Sequence, residues 1–336
     1  MTELLADHTT LRVGGPAREW VTATTEAELT AAFDTDLPVL VLGGGSNLVV
    51  ADAGFDGRVV EVATRGVVPD TDDPSCGGVL VRVAAGESWD DLVALAVERG
   101  WVGIEALAGI PGRVGATPIQ NVGAYGQEVS QTIATVRVWD RTLKGVRTFA
   151  NADCRFGYRT SRFKADPGRH VVLDVTFQLA IGTLGTSVEY AELARTLGVE
   201  IGQRAPLAEV REAVLGLRRG KGMVLDAADH DTWSAGSFFT NPVLEADRVP
   251  DGAPAWPQAD GLVKTSAAWL IEHAGFAKGH GSQRAALSGK HVLALTNRGR
   301  ATTEDLLALA REVRDGVEAA YGVRLVNEPV LVGCEL

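Results

Sequence analysis

The sequence predicts an α+β protein built from three domains, and three observations carry that expectation. The first is size: 336 residues, 46% of them hydrophobic, hold more apolar material than a single small core needs. The second is alternation, with apolar strand-like runs and short amphipathic helices following one another and broken by glycine-rich turns. The third is a polar hinge, Arg219-Gly220-Lys221-Gly222, after which helices and strands mix without that regularity. The expected divisions are 1–66, 67–218 and 219–322, with a last strand at about 323–336 returning to pack on the first domain.

Glu19–Ala23 is apolar-rich and reads as a strand, and Thr25 with Glu28 three residues on forms a capping box that opens a short helix. Pro38–Leu42 is a buried strand running straight into Gly43-Gly44-Gly45-Ser46-Asn47, and Arg58–Val62 and Val79–Ala84 are further strands. Ser88 caps a helix at Trp89–Arg99, where Leu92, Leu95 and Ala96 share a face. After the glycine-rich stretch Gly103–Gly126 come strands at Thr135–Trp139, Val146–Phe149 and Val171–Leu179, with a turn holding Tyr158 and Arg159. A helix at Leu207–Arg218 leads into the hinge. Beyond it the pattern gives a strand at Ser237–Leu244, a surface loop at Pro250–Pro257, a helix near Ser266–Ala274 and a strand at His291–Thr296. A long helix from Glu304 to about Tyr321 and a strand at Val323–Val332 close the chain.

Composition excludes several classes of function. A net charge of −11 argues against a protein that binds nucleic-acid backbones, although a local arginine cluster can still hold a small anion. The three cysteines, Cys76, Cys154 and Cys334, are odd in number and far apart, so neither a disulfide framework nor a metal site is expected. No apolar run is long enough to span a bilayer, and the first residues lack a signal-peptide core. A cytoplasmic monomer with no membrane or nucleic-acid partner is the expectation.

The glycine turns carry the first functional signal. Gly43-Gly44-Gly45-Ser46-Asn47 follows a strand but is neither GxGxxG nor a Walker loop. Consecutive glycines can turn backbone N–H groups toward a phosphate, with Ser46 and Asn47 adding donors; a tight turn with no ligand is the alternative. The second segment shifts the balance. Gly109–Gly112 and Gly115–Gly126 are too regular for a simple turn. Small residues such as Gly115, Ala116 and Gly123 let backbone approach a flat ligand, Ile110 and Ile119 can flank a ring, and Gln120 and Asn121 can bond its polar edge. Two such loops separated by one α/β unit favour a dinucleotide cofactor.

GGGSN followed by AGIPGRVGATPIQNVGAYGQE resembles the UDP-N-acetylenolpyruvoylglucosamine reductase family, within the vanillyl-alcohol-oxidase (PCMH) type of flavoproteins. The similarity continues through Phe156–Ser161, Ala235–Pro242 and Glu328-Pro329, in order, across nearly the whole chain. The resemblance implies a two-subdomain PCMH-type FAD-binding module plus a C-terminal α+β substrate-binding domain. It implies non-covalent FAD, NADPH as hydride donor, and a sugar-nucleotide enolpyruvyl ether as substrate. The pyrophosphate would lie on the first glycine loop and the flavin ring on the second.

Reduction of an enolpyruvyl alkene places negative charge beside a carboxylate, and a proton must then reach carbon. The resemblance assigns the first task to Arg159, whose guanidinium grips a carboxylate, and the proton to Ser237, with Glu328 completing the site. It also implies substrate contacts for Tyr158, Tyr190, Lys221 and Asn241. Thr240 stands where other members carry a basic residue, and His291 replaces a glutamine, so minor substrate contacts are expected to differ. Two rivals remain: a flavin-dependent sugar or alcohol oxidase or dehydrogenase of the same fold, and a non-catalytic flavin-binding protein. The Ser237 and Glu328 motifs count against both.

Overall fold

The computed structural model describes residues 3–70, 78–258 and 261–336; Cys76 lies outside them. The chain divides into two compact units, and it passes between them several times. Residues 19–44 and 57–219 form one unit; 1–18, 45–56 and 220–336 form the other.

The first of these units is organised around two sheets. The smaller joins Ala17–Ala23, Phe55–Val62 and Val39–Leu42, in that order. Val39–Leu42 runs parallel to Arg58–Glu61, and parallel pairing requires a crossover, supplied by the chain through the glycine loop and the Leu48–Val50 strand. The Glu26–Ala31 helix opens on the expected capping box, with the Thr25 hydroxyl accepting from the Glu28 N–H and the Glu28 carboxylate accepting in return. The larger sheet is antiparallel, in the order Gly145–Ala150, Ile133–Asp140, His170–Ile181, Gly78–Ala84, Val67–Asp70. Its longest strand alternates poorly, because Val171–Val175 is buried on both faces. The Trp89–Glu98 helix is capped by Ser88, as the sequence indicates, and buries Trp89, Leu92, Val93 and Ala96. Arg137 ties the two layers together by pairing with Asp174 on its own sheet at 2.7 Å and with Glu26 of the first helix.

Four expectations on the other unit need correction. Ser237–Leu244 is not a strand over its length: only Val243–Leu244 is, and Pro242, which has no N–H, precedes it. The strand expected at Val323–Val332 shrinks to Val330–Val332, because the Asn327 side chain folds back to donate to the Pro329 carbonyl at 2.8 Å. His291–Thr296 gives way to Leu295–Asn297, since the Ser288 hydroxyl caps the N–H groups of Lys290 and His291 into a turn. Within Pro250–Pro257, read as loop, Ala255–Pro257 pairs as an edge strand with Val263–Thr265. The hinge also starts later than expected, because the helix runs Leu207–Gly220.

What holds this unit is one apolar cluster. Leu270 and Ile271 of the Ala267–His273 helix meet Leu306, Ala310, Val313 and Val317 of the Thr303–Tyr321 helix, with Phe238, Phe239 and Leu295 beneath. Val330–Val332 pairs in parallel with Leu48–Val50, the strand that leaves the glycine loop.

Candidate active site

The Gly103–Glu128 segment is fixed by polar side chains buried beneath it. Glu105 is 1% exposed, and its two oxygens accept from the Gly103 N–H (2.7 Å), the Gln127 amide (2.9 Å), the Thr186 N–H (2.7 Å) and the Thr186 hydroxyl (3.1 Å). Gln127 returns a bond by accepting from the Ala106 N–H at 2.8 Å. A buried carboxylate is tolerated only when so fully bonded. Neither residue was flagged from sequence; the only available signal is one acid inside the apolar run Trp101–Leu107.

The first glycine turn meets this segment backbone to backbone. A Cβ on Gly44 would sit 2.7 Å from the Gly112 Cα, so only glycine fits there. At Gly115 a Cβ would lie 2.5 Å from that of Ala85, and the Gly115 N–H donates to the Ala85 carbonyl at 2.8 Å. Asp90 accepts from the Gly109 N–H at 2.6 Å, holding the turn before Ile110. Ala116 is exposed beside the Gly43 backbone, and the Ile119 carbonyl accepts from Ser161 at 2.7 Å.

The structure separates the two amides that the sequence grouped. Asn121 is 1% exposed with φ +45°, and its side chain is spent inside: it donates to Glu128 (2.8 Å) and to the Gly157 carbonyl (3.1 Å), and accepts from the Ser130 N–H (3.1 Å). Gln120 is different. Its Oε1 is buried and has no hydrogen-bond partner among the described residues. An orphaned buried acceptor costs roughly 1–3 kcal/mol, so its retention points to a group that it meets on binding.

Arg159 lies across the same segment. Nη2 donates to the Gly123 carbonyl at 2.7 Å and Nη1 to the Asn121 carbonyl at 3.4 Å, and a Cβ on Gly123 would come within 3.3 Å of Nη1. The backbone of Arg159 is left-handed, φ +52°, in the tight turn closed by the Gly157–Thr160 bridge. Its guanidinium carbon stands 5.5 Å from the ring centroid of Tyr158, which is half-exposed. Tyr190, also exposed, meets Tyr125 edge to face at 5.4 Å. Tyr125 was not singled out from sequence; it is held at φ +50° ahead of Gly126. Burial lowers the pKa of Arg218, and Tyr125 and Asp90 act on it in the opposite direction.

In the other unit, Gly45 adopts φ +59° with its Cα face against the His8 carbonyl, 1.9 Å from where a Cβ would stand. Ser46 is half-buried next to it, and the Asn47 amide reaches the Glu328 carbonyl at 3.5 Å while the Asn47 carbonyl accepts from the Val330 N–H at 2.9 Å. The glycine loop is thus tied to the Asn327-Glu328-Pro329 turn. That turn crosses the Ser237 segment: the Glu328 N–H donates to the Phe238 carbonyl at 2.8 Å, Phe239 bridges Asn327, and the Phe238 N–H donates to the Leu293 carbonyl at 2.7 Å. Ser237 and Glu328, far apart in sequence, are therefore held on adjoining backbone.

Phe238 and Phe239 are each 1% exposed and pack edge to face at 5.2 Å, anchoring the crossing in the apolar cluster. Gly236, at φ +74° with open space around it, lets the chain turn just before Ser237. Asn241 is half-buried, and its Oδ1 accepts from the Ala267 N–H at 3.0 Å, at the start of the Ala267–His273 helix. Lys221 is half-buried between Gly220 and Gly222. No group of His, Cys, Asp and Glu side chains able to hold a metal ion occurs among the described residues, and no described helix is long and apolar enough to cross a membrane.

Comparison with known proteins places these features in one family. Residues 20–147 match the FAD binding domain family, and residues 228–332 match the C-terminal domain of UDP-N-acetylenolpyruvoylglucosamine reductase. The chain is 60% identical to the UDP-N-acetylenolpyruvoylglucosamine reductase of Cutibacterium acnes, over 99% of this chain and 90% of that one. It is 58% identical to the enzyme of that name from Streptomyces avermitilis, over 99% and 94%. A crystal structure of UDP-N-acetylenolpyruvylglucosamine reductase from Thermus caldophilus matches 99% of this chain and 98% of its own, with a TM-score of 0.69 and 28% identity.

Proposed function

Because the chain belongs to the UDP-N-acetylenolpyruvoylglucosamine reductase family, we propose that it reduces the enolpyruvyl group of UDP-N-acetylglucosamine enolpyruvate, giving UDP-N-acetylmuramate for peptidoglycan synthesis. FAD, reduced by NADPH, supplies the hydride when bound. The chain's own residues fit such a group. The orphaned Gln120 acceptor suits a donor on a heterocyclic edge, and at the Gly44–Gly112 contact two glycine backbones meet with no side chain between them.

The observation that carries the reading is identity over 99% of the chain combined with an intact Arg159, Ser237 and Glu328 set. In this proposal Arg159 holds the substrate carboxylate. Its position is fixed by the Gly123 and Asn121 carbonyls, so no reorganisation is needed as charge builds on the carboxylate. Ser237 gives its hydroxyl proton to the neighbouring carbon and is re-protonated from solvent. Glu328, next to it through the Phe238 bond, orients the carboxyl end or a water on that path. Tyr158, Tyr190 and Lys221 hold the sugar nucleotide. Asn241, whose Oδ1 is held by the Ala267 N–H, is a further substrate contact in this proposal. We also keep the division at 1–66, 67–218 and 219–322 as the functional one, with FAD on the first two domains, substrate on the third, and a single cytoplasmic copy sufficient for turnover.

Anaerobic reduction with stoichiometric NADPH, then addition of the enolpyruvyl sugar nucleotide, tests the activity through flavin absorbance. Bleaching followed by prompt recovery is the expected result. Recovery only when oxygen enters would instead favour an oxidase of the same fold.

A further inference from the structure

Arg113 stands where the two glycine segments cross, and no functional role has been attached to it above. Its neighbours fix the backbone: the Trp89 N–H donates to the Gly112 carbonyl at 3.1 Å and the Val114 N–H to the Glu87 carbonyl at 2.9 Å. Arg113 itself is extended, with φ −109° and ψ 152°, and its stem lies along the first glycine turn. A Cβ added at Gly43 would touch Arg113 Cγ at 3.5 Å and Cβ at 3.6 Å. Among the described residues the guanidinium has no hydrogen-bond or ion-pair partner, and the N–H groups of Gly44 and Gly112 bond no carbonyl. Nearby acids are already engaged. Glu87 pairs with Arg65 at 3.1 Å and accepts from the Gly66 N–H at 2.6 Å, and Asp90 accepts from Gly109.

A half-buried arginine whose stem lies on Gly43, in a crossing whose Gly44 and Gly112 N–H groups bond no carbonyl, brings together the donor types that a phosphate anion recruits. We propose that Arg113 contributes a positive charge to the diphosphate of bound FAD at the crossing of Gly43-Gly44 with Gly112. This rests on the FAD reading above. The guanidinium's planar fork can serve two phosphate oxygens at once, whereas lysine in its place offers only a point charge. An arginine that merely covers Gly43 with its stem would leave FAD binding insensitive to its charge.

The test is FAD release from the holoprotein on dilution, followed by flavin fluorescence at low and high salt, for the native chain, Arg113→Ala and Arg113→Lys. Loss of a charge-assisted contact predicts about tenfold weaker FAD binding in Arg113→Ala at low salt, with a smaller loss in Arg113→Lys. The gap should narrow at high salt, where screening removes what the charge supplies. Equal affinity in all three proteins, or a gap that salt does not change, would overturn the role of Arg113 and leave the cofactor assignment standing. A native chain that binds no FAD would overturn both.

Discussion

The glycine-rich platform of one unit and the Ser237–Glu328 crossing of the other solve the same problem by opposite means. Each holds irregular backbone that the proposed function sets beside a ligand. The platform relies on buried polar side chains, with Glu105, Gln127 and Asn121 bonding the loop from beneath. The crossing relies on apolar anchorage, with Phe238 and Phe239 sunk in a cluster while short backbone bonds set the register. Polar anchorage fixes orientation but tolerates no change of donor into acceptor. Apolar anchorage tolerates changes of shape provided that volume is kept.

Substitutions can break that contrast. Phe238→Ala should cost most, about 3–5 kcal/mol from lost burial and the cavity left behind. Phe238→Leu, which keeps most of the volume, should cost about 1 kcal/mol. Both are read from chemical denaturation of the apoprotein. Glu105→Gln is nearly isosteric, yet it should cost about 2 kcal/mol and lower FAD occupancy. Its new amide nitrogen must face either the Gly103 N–H or the donors from Gln127 and Thr186, donor against donor. Were Glu105→Gln milder than Phe238→Leu, the polar account of the platform would fail.

A fourth substitution, of similar or smaller effect, separates charge from shape in the sheet that backs the platform. Asp140 is buried, and the Arg169 guanidinium holds its pKa at about 2, against an ordinary 3.8. Because the folded pKa is the lower one, the contribution is complete above the unfolded value and fades as pH falls from about 5 toward 2. Asp140→Asn should therefore destabilise by about 2 kcal/mol near neutrality and by progressively less as the medium is acidified. A difference that stayed constant across that range would assign the effect to packing. Unfolding midpoints of both proteins against pH decide it.

Much of the scaffold was legible because its signals are local. The Thr25–Glu28 box and the Ser88 cap lie within one turn of the helices they start, and the apolar runs of the larger sheet carry their own pattern. What stayed hidden depends on distant partners. Nothing near Ser237 shows that its segment will run beside Glu328, because the bond belongs to a pair ninety or so residues apart, and isolated bridges leave no strand period to read. Glu105 is a single acid in an apolar run, and its partner Thr186 lies 81 residues further along the chain. Asn121 and Gln120 are adjacent and chemically alike, so only the fold could give one an internal job and leave the other with an unmet acceptor. The residues of the proposed chemistry were found through family motifs, not through spacing.

The most direct test is to separate the two half-reactions in Ser237→Ala by anaerobic stopped flow, following flavin absorbance. Proton delivery by Ser237 predicts that bleaching by NADPH keeps its native rate within about twofold, while recovery on adding the enolpyruvyl substrate slows at least about a hundredfold. Equal slowing of both steps, or native recovery, would contradict it.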